Sequence, residues 1–120
     1  MIGFENVRKE YPGGTLAVED FSLEIASHET VVLVGSSGSG KTTLMRMINR
    51  MVEPTSGRIH IDGDDIAGLN PVQLRRSIGY VMQASGLLPH RTVLDNITTV
   101  PMLRGTGRSA ARTRAHELME

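Results

Sequence analysis

Hydrophobic residues near the start of the chain alternate with polar ones, which predicts strands of a half-buried sheet. The alternation is clearest in residues 16–25, where Phe21, Leu23 and Ile25 are separated by polar residues. Residues 2–8 and 58–62 show the same period. The PGG sequence at residues 12–14 and the DG sequence at residues 62–63 are turn signals that bound these strands.

A continuous apolar run at residues 30–34 predicts a different kind of strand. It contains three valines and a leucine, and it predicts a parallel strand that is covered on both faces. The run ends at Gly35. After it, residues 41–51 place their apolar side chains at i, i+3, i+4 and i+7, which is one face of a helix. The order is therefore strand, glycine-rich loop, helix.

Further along the chain, helical and extended patterns continue to alternate. Residues 70–76 predict a helix capped by Asn70, and residues 92–100 a helix capped by Thr92 or an adjacent polar group. Residues 109–120 predict a helix to the end of the sequence. A further strand is predicted at residues 77–83. Together these elements predict an α/β fold with a mixed sheet.

Composition restricts the class of protein. The chain has 120 residues, of which 39% are hydrophobic, so it can form one core. Thirteen basic and thirteen acidic residues balance, which gives no reason to expect a nucleic-acid partner. It has no cysteine, in keeping with a reducing compartment. No apolar run approaches the roughly 20 residues of a membrane helix, so we expect any membrane role to be peripheral.

The sequence GSSGSGKTT matches the phosphate-loop pattern G-x-x-x-x-G-K-[ST] and lies between the predicted strand and helix. Glycines let backbone amides approach phosphate oxygens, and the helix N-terminus adds a positive dipole end. Lys41 supplies charge for the β and γ phosphates, and the Thr42 hydroxyl is placed to ligate Mg²⁺. The residues predicted to bind ATP here are Gly35, Ser36, Ser37, Gly38, Ser39, Gly40, Lys41, Thr42 and Thr43.

The phosphate loop alone does not distinguish kinases, GTPases, helicases and transport ATPases. A kinase or GTPase would need an acceptor site or a base-reading motif such as N-K-x-D, which is not present. Over its whole length, from NVRKEYPGG through PTSGRIHIDGDDI to IGYVMQ, the sequence resembles the ATP-binding subunits of ABC transporters. The resemblance implies a phosphate-loop NTPase core of ABC type with an N-terminal antiparallel β subdomain.

The same resemblance implies a division of the chain into three portions. The antiparallel portion covers about residues 1–28 and 57–66, and the phosphate-loop core covers about residues 29–56 and 70–98. A helical subdomain begins at about residue 99 and runs to residue 120.

Two residues outside the loop receive roles from this resemblance. Tyr11 occupies the place of the aromatic that stacks on adenine, and Gln83 matches the glutamine that ligates the nucleotide Mg²⁺. A turn tyrosine and a surface glutamine are the alternatives. Residues 84–93 match the segment that touches the permease. The partners implied are transmembrane permease subunits and a second ATP-binding subunit, in a dimer that closes around two nucleotides at the cytoplasmic face of the membrane.

The stretches MINRMVEPTSG, NPVQLRRSIGYVMQ and GLLPHRTVLDNI are similar to importers of glycine betaine, choline and other quaternary amines. The ATP-binding subunits of methionine and polar amino-acid importers share much of this sequence, and they stay open as an alternative. His28 stands where this family usually has glycine. The histidine predicts a turn that does not require a positive φ.

The catalytic residues of an ABC ATPase are not found by residue 120. The Walker B aspartate, the catalytic glutamate, the signature loop and the switch histidine would lie beyond Glu120. The acidic residues Asp62, Asp64 and Asp65 follow a half-exposed strand, which favours a solvated turn. We therefore expect the chain to be a marginally stable part of a longer subunit that binds ATP without turnover. A small nucleotide-binding module that does not hydrolyse ATP is the alternative.

Overall fold

Four antiparallel strands form one sheet near the N-terminus of the chain. A computed structural model describes all residues from 1 to 120. The strands are β1 (Ile2–Tyr11), β2 (Thr15–Ile25), β3 (Ser56–Ile61) and β4 (Asp64–Asp65), in the order β2-β1-β3-β4. The predicted strands at residues 2–8, 16–25 and 58–62 are thus confirmed.

The helices follow the phosphate loop and the sheet. They are α1 (Lys41–Ile48), α2 (Pro71–Ser77), α3 (Val93–Leu103) and α4 (Arg108–Met119), and a short 3₁₀ turn covers Ile66–Gly68. The chain divides into two compact units, Met1–Arg75 and Arg76–Glu120. None of the helices is long and apolar enough to cross a membrane.

In the first unit, the inward side chains of the sheet form a core with α1. Phe4 pairs with Leu23 on β2 and with Ile59 on β3, so it lies at the centre of the sheet. Its ring meets that of Phe21 edge to face, with centroids 5.3 Å apart. The buried apolar residues of this unit are Phe4, Val7, Val18, Leu44, Met47, Ile59, Ile66 and Leu74.

The C-terminal end of α1 is fixed by two arginines. The Arg50 guanidinium donates to the carbonyls of Ile66 and Leu69, at 3.2 and 2.8 Å. Arg75 donates to the carbonyls of Asn49 and Arg50, at 3.0 and 2.7 Å. The carbonyls of Asn49 and Arg50, just after the last residue of α1, thus find a donor in Arg75. The bonds from Arg50 join the end of α1 to the chain that follows β4.

The predicted helix caps are confirmed. The Asn70 side-chain oxygen accepts from the amides of Val72 and Gln73, at the start of α2. The Thr92 hydroxyl accepts from the amide of Asp95, at the start of α3. In the second unit, α3 packs against α4, where the small buried residues Ala111 and Ala115 lie one turn apart.

The predicted strands at residues 30–34 and 77–83 are wrong for this structure. Ser77 is the last residue of α2, and the rest of both segments is irregular. A strand exists only where its backbone pairs with a neighbour, and the sheet contains β1 to β4 alone. The valines of the first segment are consequently exposed, with Val32 at 75% and Val34 at 91%.

The predicted conformation of His28 is also wrong. Its φ is +65°, in the left-handed region, and it lies in a turn closed by the Glu29 amide donating to the Ala26 carbonyl at 3.2 Å. The residue type histidine does not signal a left-handed backbone, so the sequence does not reveal this strain. The left-handed conformation costs an L-residue about 1–2 kcal/mol, and glycine avoids that cost.

We expect His28→Gly to raise the free energy of unfolding by up to about 1 kcal/mol, because glycine relieves the left-handed backbone but also gains freedom in the unfolded chain. Urea unfolding followed by circular dichroism measures the change. His28→Ala is the matched control, since it removes the imidazole and keeps Cβ. An equal gain in both variants would show that the imidazole, and not the backbone, carries the cost.

Candidate phosphate-binding site

The phosphate loop turns sharply into α1 through two glycines with positive φ. Gly38 has φ +79° and Gly40, the N-cap of α1, has φ +90°. A Cβ on Gly40 would collide with the Ala17 carbonyl oxygen, whereas a Cβ on Gly38 would meet nothing within 4 Å. Gly40 is therefore required both for its backbone angle and for the close approach of the loop to β2.

The backbone amides of the loop are largely unpaired. Between Ser37 and Thr43, only the Ser39 amide donates a hydrogen bond, to the Ser36 carbonyl at 3.2 Å. No side chain caps α1, and its first turn has no acidic residue. The free amides and the positive end of the helix dipole together favour an anion at this place.

Lys41 projects its ammonium group into the loop. Its Nζ donates to the Gly35 carbonyl at 2.7 Å, to the Ser36 carbonyl at 2.6 Å and to the Ser39 hydroxyl at 2.8 Å. These contacts use all three donors of the ammonium group. A phosphate that binds Lys41 must therefore replace at least one oxygen atom of the loop itself.

The loop encloses a cleft of about 260 Å³ between α1 and the start of β2. Its lining contains hydroxyls, glycines and one ammonium group, and no carboxylate. The residues that line it are Ala17, Ser37, Gly38, Ser39, Gly40, Lys41, Thr42 and Thr43. The predicted loop residues from Ser37 to Thr43 are thus brought together at one cleft, which has room for phosphate groups.

Tyr11 lies beside this cleft, at the end of β1. Its hydroxyl oxygen is 3.4 Å from the Thr43 hydroxyl oxygen, and 36% of the residue is exposed. Gln83 lies in the second unit, in an irregular segment, and its side chain is exposed. Its role as a metal ligand stays a prediction.

Of the acidic residues after β3, Asp62 lies in the predicted turn, whereas Asp64 and Asp65 form β4. Asp62 has φ +51° and its carboxylate accepts from the Met1 ammonium at 2.8 Å. Asp65 accepts from the Ala67 amide at 2.9 Å and caps the 3₁₀ turn. No group of histidine and acidic residues is arranged to hold a metal ion. The Asp62 and Asp65 carboxylates thus have structural partners.

Two residues of the site escape sequence reasoning. Ala17 contributes a carbonyl oxygen against Gly40, and a backbone contact of this kind has no signature in a residue type. Lys9 places its ammonium 5.0 Å from the centroid of the Tyr11 ring. The available signal is its position two residues before Tyr11, which puts both side chains on one face of β1.

Comparison with known proteins agrees with the geometry of the loop. The profile described as ABC transporter matches residues 18–120. The chain belongs to the ABC transporter family. As expected from the resemblance, this ABC chain is similar to ATP-binding proteins of quaternary amine transport. It is 48% identical over 120 residues to the choline transport ATP-binding protein OpuBA of Bacillus subtilis. It is 50% identical to the carnitine transport ATP-binding protein OpuCA of Listeria monocytogenes.

These alignments include all of the ABC chain but only 32% and 30% of the two relatives. Among solved structures, the dimeric post-hydrolysis state of the ATP-binding cassette MJ0796, bound to ADP and Pi, superposes with a TM-score of 0.86 at 31% identity. That alignment covers 98% of this chain and 55% of the cassette. The α/β fold of ABC type that the sequence predicts is thus confirmed.

We expect Gly40→Ala to destabilise the chain and to abolish nucleotide binding, because Cβ would displace the loop from Ala17. Gly38→Ala is the matched control, since Gly38 has a similar φ and open space. The strain of the positive φ, about 1–2 kcal/mol, is common to both variants. Urea unfolding measures the free energy of unfolding of both variants, and the additional loss in Gly40→Ala is the effect of the collision. Equal losses would show that the close approach of the loop to β2 does not contribute to stability.

Proposed function

We propose that this chain forms the nucleotide-binding part of an ABC importer ATPase, which couples ATP binding and hydrolysis to solute uptake. The observation that carries the proposal is the loop of unpaired amides around Lys41, at the start of α1. Such a loop has the donors for a triphosphate, and the charge of Lys41 suits the β and γ phosphates. We further propose the division into antiparallel, phosphate-loop and helical portions that the sequence predicts.

Mg²⁺ fits the side chains at the start of α1. Thr42 lies in the first turn, is exposed, lines the cleft and forms no hydrogen bond through its hydroxyl. A neutral hydroxyl oxygen is a ligand that Mg²⁺ accepts beside phosphate oxygens and water. We assign Gln83 as a second oxygen ligand, as its place in the family pattern implies. The bound ion would neutralise charge that develops on the phosphates.

The proposed solute is a quaternary amine such as choline, carnitine or glycine betaine. Support comes from the relatives named for choline and carnitine transport, at 48% and 50% identity. The proposed partners are permease subunits, which residues 84–93 would contact, and a second ATP-binding subunit. The whole protein would then lie at the cytoplasmic face of the membrane as a peripheral subunit.

The 120 residues alone are expected to bind ATP without hydrolysing it. No carboxylate lines the cleft, and the candidates Asp62 and Asp65 have structural contacts elsewhere, with the Met1 ammonium and the Ala67 amide. A general base or a residue that orients water must reach the attacking water. The same observation fits the other candidate function, a nucleotide-binding module that does not turn ATP over.

Lys41→Ala tests the proposal directly. We expect ATP affinity to fall roughly tenfold to a hundredfold, as for loss of a charge-assisted hydrogen bond worth about 1.5–3 kcal/mol. Isothermal titration with Mg-ATP gives the affinity, and phosphate release gives turnover. Arg46→Ala is the matched control, because it removes one exposed positive charge from the same helix.

Two outcomes would contradict this assignment. Equal losses in the Lys41 and Arg46 variants would mean that general charge, and not the loop, binds the nucleotide. Hydrolysis by the 120 residues that depends on Lys41 would mean that they contain a catalytic carboxylate.

Thr42→Val tests the metal. Valine keeps the shape of the side chain and removes the hydroxyl, so the gain in ATP affinity on adding Mg²⁺ is expected to shrink. The measurement is titration of ATP with Mg²⁺ and with EDTA. Thr42→Ser keeps the hydroxyl and should retain the gain. If valine retains it fully, Thr42 is not a metal ligand.

A further inference from the structure

Lys9 has an unusual position for a lysine near the surface of a sheet. Its Nζ lies 5.0 Å from the centroid of the Tyr11 ring and donates a hydrogen bond of 2.8 Å to the Glu53 carbonyl. The residue is half-buried. Its ammonium group is therefore held by a fixed acceptor and by the face of an aromatic ring, which attracts cations.

The acceptor belongs to a segment that is itself attached to β1. The Thr55 amide donates to the Arg8 carbonyl at 2.8 Å, and the Thr55 hydroxyl accepts from the Glu10 amide at 3.0 Å. The Glu53 carboxylate accepts from Arg50 at 2.9 Å, at the end of α1. The Lys9 ammonium is thus anchored to a segment joined to both β1 and α1.

These contacts fix the Tyr11 ring at two places. Lys9 covers one face of the ring, and the hydroxyl at its tip is 3.4 Å from the Thr43 hydroxyl in α1. An aromatic ring has two faces, so a nucleobase can stack only on the face that Lys9 leaves free. The tip of the ring lies beside the phosphate cleft, because Thr43 lines that cleft.

We propose that Lys9 is a positioning residue for the nucleotide base. It holds the Tyr11 ring in one orientation and directs the free face of the ring toward adenine. The inference rests on the proposed ATP-binding function and adds a determinant of it. Ordering the ring before binding removes a cost that the nucleotide would otherwise meet, so base affinity depends on Lys9 although Lys9 does not touch the base.

The experiment compares ATP with inorganic tripolyphosphate, which has the phosphates and no base. Titration of the 120-residue chain with each ligand separates the base contribution from the phosphate contribution. We expect Lys9→Met to weaken ATP about three- to tenfold and to leave tripolyphosphate unchanged. Lys9→Arg keeps a cation and a donor, and it should restore most of the ATP affinity.

Tyr11→Ala and Lys41→Ala complete the set. Tyr11→Ala should weaken ATP alone, and Lys41→Ala should weaken both ligands. If Lys9→Met does not fold, Lys9→Gln removes the charge and keeps a donor group, and the same loss of ATP affinity is expected. Circular dichroism establishes that each variant is folded.

The outcomes separate the two proposals. If Tyr11→Ala weakens ATP but neither Lys9 variant does, the positioning role is overturned and the ATP-binding function stands. If Lys9→Met weakens ATP and tripolyphosphate equally, Lys9 acts through general charge, and the positioning role is again overturned. If the unmodified chain binds neither ligand, the proposed function fails and the role of Lys9 fails with it.

Discussion

Unpaired backbone amides at the start of α1 are the constraint on which the rest of the first unit depends. Amides without a partner are costly when buried, so the loop that presents them must stay open to water or to an anion. The fold meets this requirement by holding the loop from behind. Gly40 lies against the Ala17 carbonyl, and the buried side chains of Leu44 and Met47 attach α1 to the core.

The helix is held at its other end by a different kind of contact. Arg50 donates to two carbonyls on the chain after β4, and Arg75 donates to the carbonyls of Asn49 and Arg50, just after the last residue of α1. Glu53, which pairs with Arg50, also offers its carbonyl to Lys9. The phosphate loop and the tyrosine beside it are therefore positioned by one connected set of contacts, which is what a pre-organised binding site requires.

Sequence reasoning succeeds where the signal is local. The alternation in residues 16–25, the PGG turn and the caps at Asn70 and Thr92 each depend on neighbours in the sequence, and each is confirmed. The phosphate loop is predicted for the same reason, since the residues that form it are consecutive in the sequence. The predicted conformation of His28 is wrong because the residue type does not indicate a positive φ at a residue other than glycine. Only the glycine usual in the family at that position pointed to it.

Contacts between distant residues account for the remaining differences. The apolar run at residues 30–34 reports that these side chains favour burial, but it does not say which strand would pair with them. In the structure they have no paired neighbour, and an apolar cleft of about 520 Å³ lies between this segment, β2 and α1. The approach of Ala17 to Gly40 and of Lys9 to Tyr11 likewise joins residues whose types alone do not predict a contact.

The exposed segment before the loop gives Lys41 a second role. Because residues 30–34 are not held in the sheet, the N-terminal side of the loop is tied to α1 through the bonds of Lys41 to the Gly35 and Ser36 carbonyls. The same ammonium group that attracts phosphate therefore also orders the loop that receives it. A ligand that takes over one of these bonds gains a charge contact and weakens a tie within the loop, so the measured affinity is the difference between the two effects.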